Sequence, residues 1–164
     1  MAKDMSDWSR FERLTPFRVR DVLLVASPFD HYLLEESGYL VEIMRQEYAE
    51  LNLSQSPRII HSREARDALR LIRNRQFDLV ITMARVGSMD VNAFGREVKS
   101  IVADMPVILL SHNTRELATL HAGDGIDRIF VWTGDSRILL SICKLIEDEK
   151  NVAYDVNDAD VQVI

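Results

Sequence analysis

Cysteine is nearly absent from this chain of 164 residues, which carries only Cys143. A single thiol cannot close a disulfide within the chain and has no second thiol with which to share a metal ion. Cys143 lies in an apolar stretch, residues 138–146, so we expect its side chain to be buried. The sequence also lacks an uninterrupted apolar run long enough to span a bilayer, and residues 1–20 lack the apolar centre of a signal peptide. These absences predict a cytoplasmic protein without a membrane segment.

An excess of positive charge is missing as well. The formal net charge is −6 and the pI is about 5.2, whereas nucleic-acid binding requires clustered Lys and Arg to displace counterions from phosphates. We therefore expect no nucleic-acid partner. Basic residues gather only on the second helical pattern (Arg63, Arg66, Arg70 and Arg73). A solvated outer face is the simpler interpretation of that cluster, and a docking patch for an acidic neighbour is the alternative.

Glycine-rich phosphate loops are missing too. The residues that follow the first apolar run, Ser-Pro-Phe-Asp at 27–30, match neither of the glycine patterns that cradle nucleotide phosphates. His121, Asp124 and Asp127 form a loose cluster without the ligand spacing of a zinc site, and a solvated turn explains them better. The sequence thus predicts no cofactor and no metal.

What the chain does have is a regular alternation of strand-length apolar runs with segments of helical periodicity, and its hydrophobic content of 47% is enough for one sizeable core. This alternation is typical of βαβ units and a parallel sheet. Right-handed crossovers favour a flavodoxin-like, doubly wound α/β fold with five strands in the order 2-1-3-4-5 and helices on both faces. The predicted strands are residues 21–27, 58–62, 78–83, 106–111 and 128–132.

The segments between these strands carry helical patterns of unequal clarity. The first predicted helix follows apolar residues from Leu40 to Leu51, after a separate turn or lid at 29–37. Ser62 is expected to cap the second helix. A third helix runs through Phe94 and Val98, the fourth (114–122) is short, and the fifth starts near residue 138. We predict an N-terminal extension at 1–20, one domain at 21–150 and a linker at 151–164 that leads to a further domain.

The run FDLVITMARVGSMDVNAF at 77–94 resembles the third strand and following loop of response-regulator receiver domains. In that resemblance Asp78 and the apolar residues after it fit, and Met83 takes the position of the phosphorylated aspartate. The run PVILLSH resembles the fourth strand, with Ser111 at the Ser or Thr that contacts the phosphoryl group. The resemblance covers residues 21–150 and implies the receiver fold.

The other positions of the receiver site depart from the family pattern. Ala26 and Ser27 stand at the pair of acidic residues, Ile129 at the switch aromatic residue and Trp132 at the lysine. Transfer of a phosphoryl group to a carboxylate needs a nucleophilic oxygen, a cation held by hard oxygen ligands and a fixed positive charge. The degenerate positions therefore predict that this chemistry is lost and that the domain has no catalytic residue.

Two functional hypotheses follow. The first is a non-catalytic pseudo-receiver, a signalling or interaction domain of a two-component-type multidomain protein. The phrases TRELATL and GIDRIFVW and the ending VQVI resemble the leading domain of large bacterial signalling proteins. In those, a second receiver and a phosphoenolpyruvate/pyruvate-binding region of the pyruvate, phosphate dikinase type follow, so the parent would be a kinase-like or phosphotransferase-like enzyme.

The second hypothesis is a small-molecule sensor that binds its ligand at the carboxyl edge of the sheet. Phe29, Asp30 and His31 would then contact the ligand or belong to the lid. The expected partners are another protein or neighbouring domains of the same polypeptide. A homodimer through the fourth or fifth helix and the fifth strand is compatible with both hypotheses.

Overall fold

The computed structural model of the protein describes residues 16–36, 46 and 56–158. Its centre is a five-stranded parallel sheet with the strand order β2-β1-β3-β4-β5. The strands are β1 (Asp21–Val25), β2 (Arg58–Ser62), β3 (Leu79–Met83), β4 (Val107–Ser111) and β5 (Arg128–Val131). The described α-helices are α1 (Pro28–Glu36), α2 (Ala65–Asn74), α3 (Val91–Ile101) and α4 (Arg137–Asp158), and a 3₁₀ turn covers Glu116–Ala118.

The predicted fold is confirmed, and each predicted strand lies within one or two residues of an observed one. The central strands β3 and β4 are buried at every position, which explains their unbroken apolar sequences: a parallel strand covered by helices on both sides has no solvent face. One hydrophobic cluster joins the sheet to Leu34 of α1 and to Leu139 and Ile146 of α4. A second cluster joins the opposite face to α2 and α3. The helices therefore do cover both faces.

The segment after β1 differs from its prediction. Of the residues predicted as a turn or lid, 29–37, all those that the structure describes, 29–36, belong to α1. Ser27, Pro28 and Asp30 explain the helix: a hydroxyl at the N-cap, a proline at the first helical position and an acidic residue at the third are helix-start signals. The helix predicted through residues 40–51 lies outside the described residues, apart from residue 46, which is helical.

Two smaller expectations are also corrected. Ser62 does not cap α2: its hydroxyl donates to the Glu64 carbonyl, and Glu64 is the N-cap residue without a side-chain cap. The predicted fourth helix is reduced to the 3₁₀ turn. By contrast, Asp90 caps α3 by accepting a hydrogen bond from the Ala93 amide.

Both ends of the predicted domain are packed more closely than expected. Asn151 of α4 accepts from the Phe17 amide and donates to the Phe17 carbonyl, and Glu147 accepts from the Val19 amide. Residues 16–20, predicted as part of an extension, therefore lie along α4. The helix itself continues to Asp158, through the first half of the predicted linker. No helix within the described residues is long and apolar enough to cross a membrane.

Candidate functional site

Three of the positions that the sequence analysis assigned to a degenerate receiver site meet at the carboxyl edge of the sheet, where this class of fold binds its ligands. Ala26 follows β1, Met83 ends β3 and Trp132 follows β5. All three belong to one hydrophobic cluster, together with Leu34 of α1, and they are 0%, 1% and 5% exposed. We call Ala26, Met83 and Trp132 the apolar plug. The plug fills the edge with methyl, thioether and indole groups, none of which is charged.

Ser111 lies at the end of β4 and is fully buried. Its hydroxyl is 2.8 Å from Oε2 of Glu116 and 3.1 Å from the Asn113 carbonyl oxygen. The Glu116 carboxylate therefore takes the hydrogen bond that this hydroxyl could offer to another acceptor. A negative charge beside Ser111 also disfavours the approach of an anion.

The first turn of α1 is fixed by its own side chains. The Asp30 amide donates to Oγ of Ser27 (3.1 Å), and the Ser27 hydroxyl donates to Oδ2 of Asp30 (2.7 Å). This reciprocal arrangement is a variant of the capping box, and it satisfies donors that a helix start leaves free. Ser27 therefore caps the first turn of α1.

His112 connects this turn to the opposite side of the edge. Its Nε2 lies 2.7 Å from Oδ1 of Asp30, and its ring is tilted against Trp132 with 5.0 Å between centroids. A carboxylate can only accept, so Nε2 of His112 donates. Asp30 stands between His112 and Ser27, which leaves the Ser27 hydroxyl without a base. A nucleophilic triad would require the histidine in the middle.

A second pair of histidines lies on the other side of α1. His31 of α1 and His61 of β2 stack face to face, with 3.7 Å between ring centroids and 8° between planes. Nε2 of His61 donates to the Ala26 carbonyl, 2.8 Å away, which fixes that ring against β1. Burial lowers the pKa of His31, and the charges of His61 and Arg63 lower it further, while Glu35 opposes them.

The remaining predicted site residues do not join the plug. Ile129 is half-buried and packs with the cluster on the α2 and α3 face of the sheet. Phe29 is 68% exposed on α1. Ser111 and His112, adjacent in sequence, make separate contacts, as the alternation of side chains along a strand predicts.

The indole of Trp132 is the one polar group of the plug. Its Nε1 is buried and has no hydrogen-bond partner among the described residues. A buried donor without an acceptor costs about 1–3 kcal/mol, so Trp132 is kept in this position by packing rather than by hydrogen bonding.

Three clefts on the described surface are lined by residues other than those of the plug. Those of about 310, 500 and 430 Å³ are lined by none of Ala26, Met83, Ser111 or Trp132. The first and third lie at the amino edge of the sheet, and the second follows the first turns of α4. Within the described part of the chain, no group of three or more His, Cys, Asp or Glu side chains could hold a metal ion.

Comparison with known proteins found similarity at the level of structure. No model of a protein family matches the chain, and no curated protein matches it. Among solved structures, the receiver domain protein (CheY-like) of Methanospirillum hungatei JF-1 is 18% identical with a TM-score of 0.62, over 82% of this chain and 98% of that one.

Two further solved structures agree. The signal receiver domain of an HD domain-containing protein from Pseudomonas fluorescens Pf-5 is 21% identical with a TM-score of 0.56, over 85% of this chain and 94% of that one. The chemotaxis response regulator CheY4 of Vibrio cholerae is 17% identical with a TM-score of 0.54, over 78% and 98%. The chain thus has a flavodoxin-like fold. Within that class, it has the fold of CheY-like response-regulator receiver domains.

Three residues of this edge escaped the sequence interpretation: His61, His112 and Glu116. His61 and His112 partner residues of α1 that lie 30 and 82 positions away, so no local pattern links them. The sequence did contain one signal that these histidines lie near the site. His61 and His112 lie on or next to predicted strand ends, and His31 lies in the first crossover. Glu116 had no signal, since it lies in the turn where a regular helix was expected.

Proposed function

We propose that this chain is a pseudo-receiver: a non-catalytic signalling domain that acts through contacts with other domains or proteins and takes no phosphoryl group. The observation that carries this proposal is the apolar plug, in which Met83 occupies the acceptor position and is 1% exposed. A thioether cannot form an acyl phosphate, and a buried one is out of reach of any phosphoryl donor.

The surroundings of Met83 support the proposal independently. A divalent cation in such a site needs several oxygen ligands, but Ala26 offers no side-chain oxygen and Ser27 is engaged with Asp30. Trp132 offers a neutral indole in place of a fixed positive charge. Three separate requirements of the chemistry are thus unmet at once, so one reverting substitution would not restore it.

Ser111 supports the same conclusion from the side of the phosphoryl group. In a receiver this hydroxyl would report phosphorylation, but here it is paired with Glu116. A fixed carboxylate in that position imitates a permanently bound anion. We infer a domain held in one state as far as phosphate is concerned, with any switching due to another stimulus.

The natural setting of such a domain is a larger cytoplasmic protein. Receiver folds commonly occur in multidomain proteins, as in the HD domain-containing and GGDEF-containing proteins among the structural matches. On the sequence resemblance, we propose a bacterial parent with a second receiver and a phosphoenolpyruvate/pyruvate-binding region. Reading the gene beyond Ile164 tests this: a second receiver with an intact acidic pair supports it, and an unrelated domain contradicts it.

The chemical part of the proposal is tested by phosphorylation. The protein is incubated with Mg²⁺ and acetyl phosphate, beside an ordinary receiver as positive control, and the intact mass is followed. We expect no phosphoryl adduct on this chain. A hydroxylamine-labile adduct would overturn the proposal.

A matched variant sharpens the result. Met83→Asp restores the carboxylate but not the cation ligands or the positive charge, so this variant should also stay unmodified, with its fold checked by circular dichroism. If Met83→Asp were phosphorylated, the other positions would be competent and the loss would be confined to Met83.

The sensor alternative gains no support from these three clefts, because none is lined by a residue of the plug, and residues 29–36 of the predicted lid belong to the helix α1. The sensor hypothesis can still be tested directly. A metabolite that binds only the folded state would raise the melting temperature in a saturable way by mass action.

The homodimer proposal is tested by sedimentation of the protein at increasing concentration, and variants with mutations on β5 and α4 serve as the comparison.

A further inference from the structure

The carboxyl edge contains a group of titratable side chains that play no part in the proposed loss of phosphoryl transfer. They lie on the two sides of α1: the His31–His61 stack toward β2, and the Asp30–His112 pair toward β4. Histidine is the side chain whose charge changes between about pH 5 and 8. These contacts therefore respond to acid in a range where most of the protein does not.

The stack is suited to neutral rings. With 3.7 Å between centroids, two imidazolium ions would place like charges in contact, in a site where His31 is 26% exposed. One ring can carry a proton at a moderate cost, but two cannot do so without strong repulsion. Since Nε2 of His61 is held by the Ala26 carbonyl, His31 is the ring that is free to move away.

The charged groups around His31 do not cancel this effect. Among the described residues, His61 faces it from β2, Arg63 from the turn after β2, and Glu35 from the next turn of α1. Glu35 is 3.6 Å away and favours the protonated ring, but its side chain is 60% exposed and screened by water. Burial, His61 and Arg63 act in the opposite direction.

The other side of α1 responds differently. Nε2 of His112 can donate to the Asp30 carboxylate whether the imidazole ring is neutral or charged, so this contact does not depend on a neutral ring. Oγ of Ser27 still caps the first turn, because its hydrogen bonds do not depend on a histidine. Acid thus weakens one attachment of α1 and preserves the other.

We propose that α1 is a proton-operated element: protonation of the His31–His61 stack weakens its attachment to the edge strand β2, while Asp30 and His112 keep its first turn fixed to β4. The switch would operate whether or not the domain ever takes a phosphoryl group. Protonation would then be the stimulus for a receiver fold in which the plug excludes phosphorylation, the usual stimulus.

The direction of the pH dependence follows from the pKa of His31, which folding lowers from its ordinary value of 6.5. The folded state then binds fewer protons than the unfolded chain, so the stack contributes fully above pH 6.5. That contribution is lost as the pH falls through the lower, folded-state pKa.

The experiment measures amide hydrogen exchange in α1 at about pH 7.5 and about pH 5.5, corrected for intrinsic rates, a range that crosses histidine titration. In the wild-type protein we expect exchange in α1 to become faster at the lower pH, because the neutral His31 ring that the stack needs is lost there. Amides of β3 serve as an internal reference and should not change.

Two variants isolate the stack. His31→Phe keeps an aromatic ring against His61 but cannot be charged, so its α1 should lose the pH response. His121→Gln removes a histidine from an exposed turn and should behave as the wild type does. Equal protection of wild-type α1 at both pH values, or a full response in His31→Phe, would overturn the proposal.

A measurement without mutation covers the case in which His31→Phe does not fold. NMR titration of the imidazole protons should place the midpoint of His31 below its ordinary value of 6.5, and the α1 amide shifts should share that midpoint. A His31 midpoint at or above 6.5, or α1 shifts that do not follow it, would contradict the switch.

Discussion

The two edges of the sheet treat their polar groups in opposite ways. At the carboxyl edge, the strand ends are closed by Ala26, Met83 and Trp132, and the charged groups contact side chains: Glu116 accepts from Ser111, and Asp30 pairs with His112. At the amino edge, charged side chains reach the backbone directly. The edge that usually carries function in this fold is therefore filled, and the edge that is usually structural carries the charge.

The amino edge shows what its charges do. Oδ2 of Asp78 accepts from the amides of Arg20 and Asp21, at 2.8 and 2.9 Å. Oδ2 of Asp127 accepts from the Val107 amide at 2.7 Å while Lys99 balances its charge. These carboxylates satisfy amides at strand starts, where the ladder provides no partner. At the amino edge, charged side chains therefore hold the backbone, whereas at the carboxyl edge apolar side chains close the site.

The largest expected effect comes from putting charge into the plug. Met83→Asp introduces an unpaired carboxylate at a position that is 1% exposed and should lower the free energy of unfolding by about 3–5 kcal/mol. Met83→Leu, of similar volume, should lose less than about 1.5 kcal/mol. Urea unfolding measures both. Equal stability of Met83→Asp and wild type would mean that this edge is open to water.

A medium effect is expected at the amino edge. Asp78→Ala leaves the amides of Arg20 and Asp21 without their acceptor and should cost about 1–3 kcal/mol of unfolding free energy. Asp78→Asn keeps a carbonyl oxygen and should cost less. The same urea series compares them, and a larger loss in Asp78→Asn than in Asp78→Ala would contradict the role of this acceptor.

The two edges of the sheet should respond to acid at different pH values. The hydrogen bond from Arg58 holds the pKa of Asp21 below 3.8, with the charges of Arg58 and Arg75 adding to it against burial. Since folding lowers this pKa, the stabilisation is present above pH 3.8 and lost as the pH falls further. The effect should be smaller than that of Asp78→Ala, because the Arg58 side chain is 66% exposed.

The measurement is an NMR-detected acid titration that follows amides of α1 and β1 in one sample. Those of α1 should change first, as histidines gain protons, and those near Asp21 only near the bottom of the range. Simultaneous changes at both edges would show one global transition and remove the distinction between them.

The smallest effect is expected on the basic face of α2. Arg70 pairs with Asp67 one turn earlier, and both side chains are at least half exposed. Arg70→Ala should change the unfolding free energy by less than about 0.5 kcal/mol, as exposed helical pairs do. A loss as large as that of Asp78→Ala would show that this face is more than a solvated surface.

The fold was predictable because burial on both sides forces a strand to be apolar throughout. The runs at 79–83 and 107–111 are buried at every position. A strand of alternating apolar and polar residues would place polar side chains in the core there. The prediction failed where a local signal was overlooked: the Ser-Pro-Phe-Asp start of α1 follows the rules of helix capping. It also failed at residues 114–122, where weak periodicity ends in a 3₁₀ turn.

The candidate site was only half predictable. That Met83, Ala26 and Trp132 would meet at one edge follows from their places at strand ends, since parallel strands bring those ends together. Two hydrogen bonds could not be derived from the sequence: the one between Ser111 and Glu116 and the one between His112 and Asp30. The first depends on the path of a turn, and the second depends on the position of α1.

Residue type and local spacing were sufficient to predict the sheet and the strand order, because both depend on apolar runs and the helical segments between them. The packing of Ala26, Met83 and Trp132 into one apolar plug depends on contacts between distant strands. The same is true of the histidines at the sides of α1, since stacking and ion pairing require residues far apart in the chain to reach contact distance.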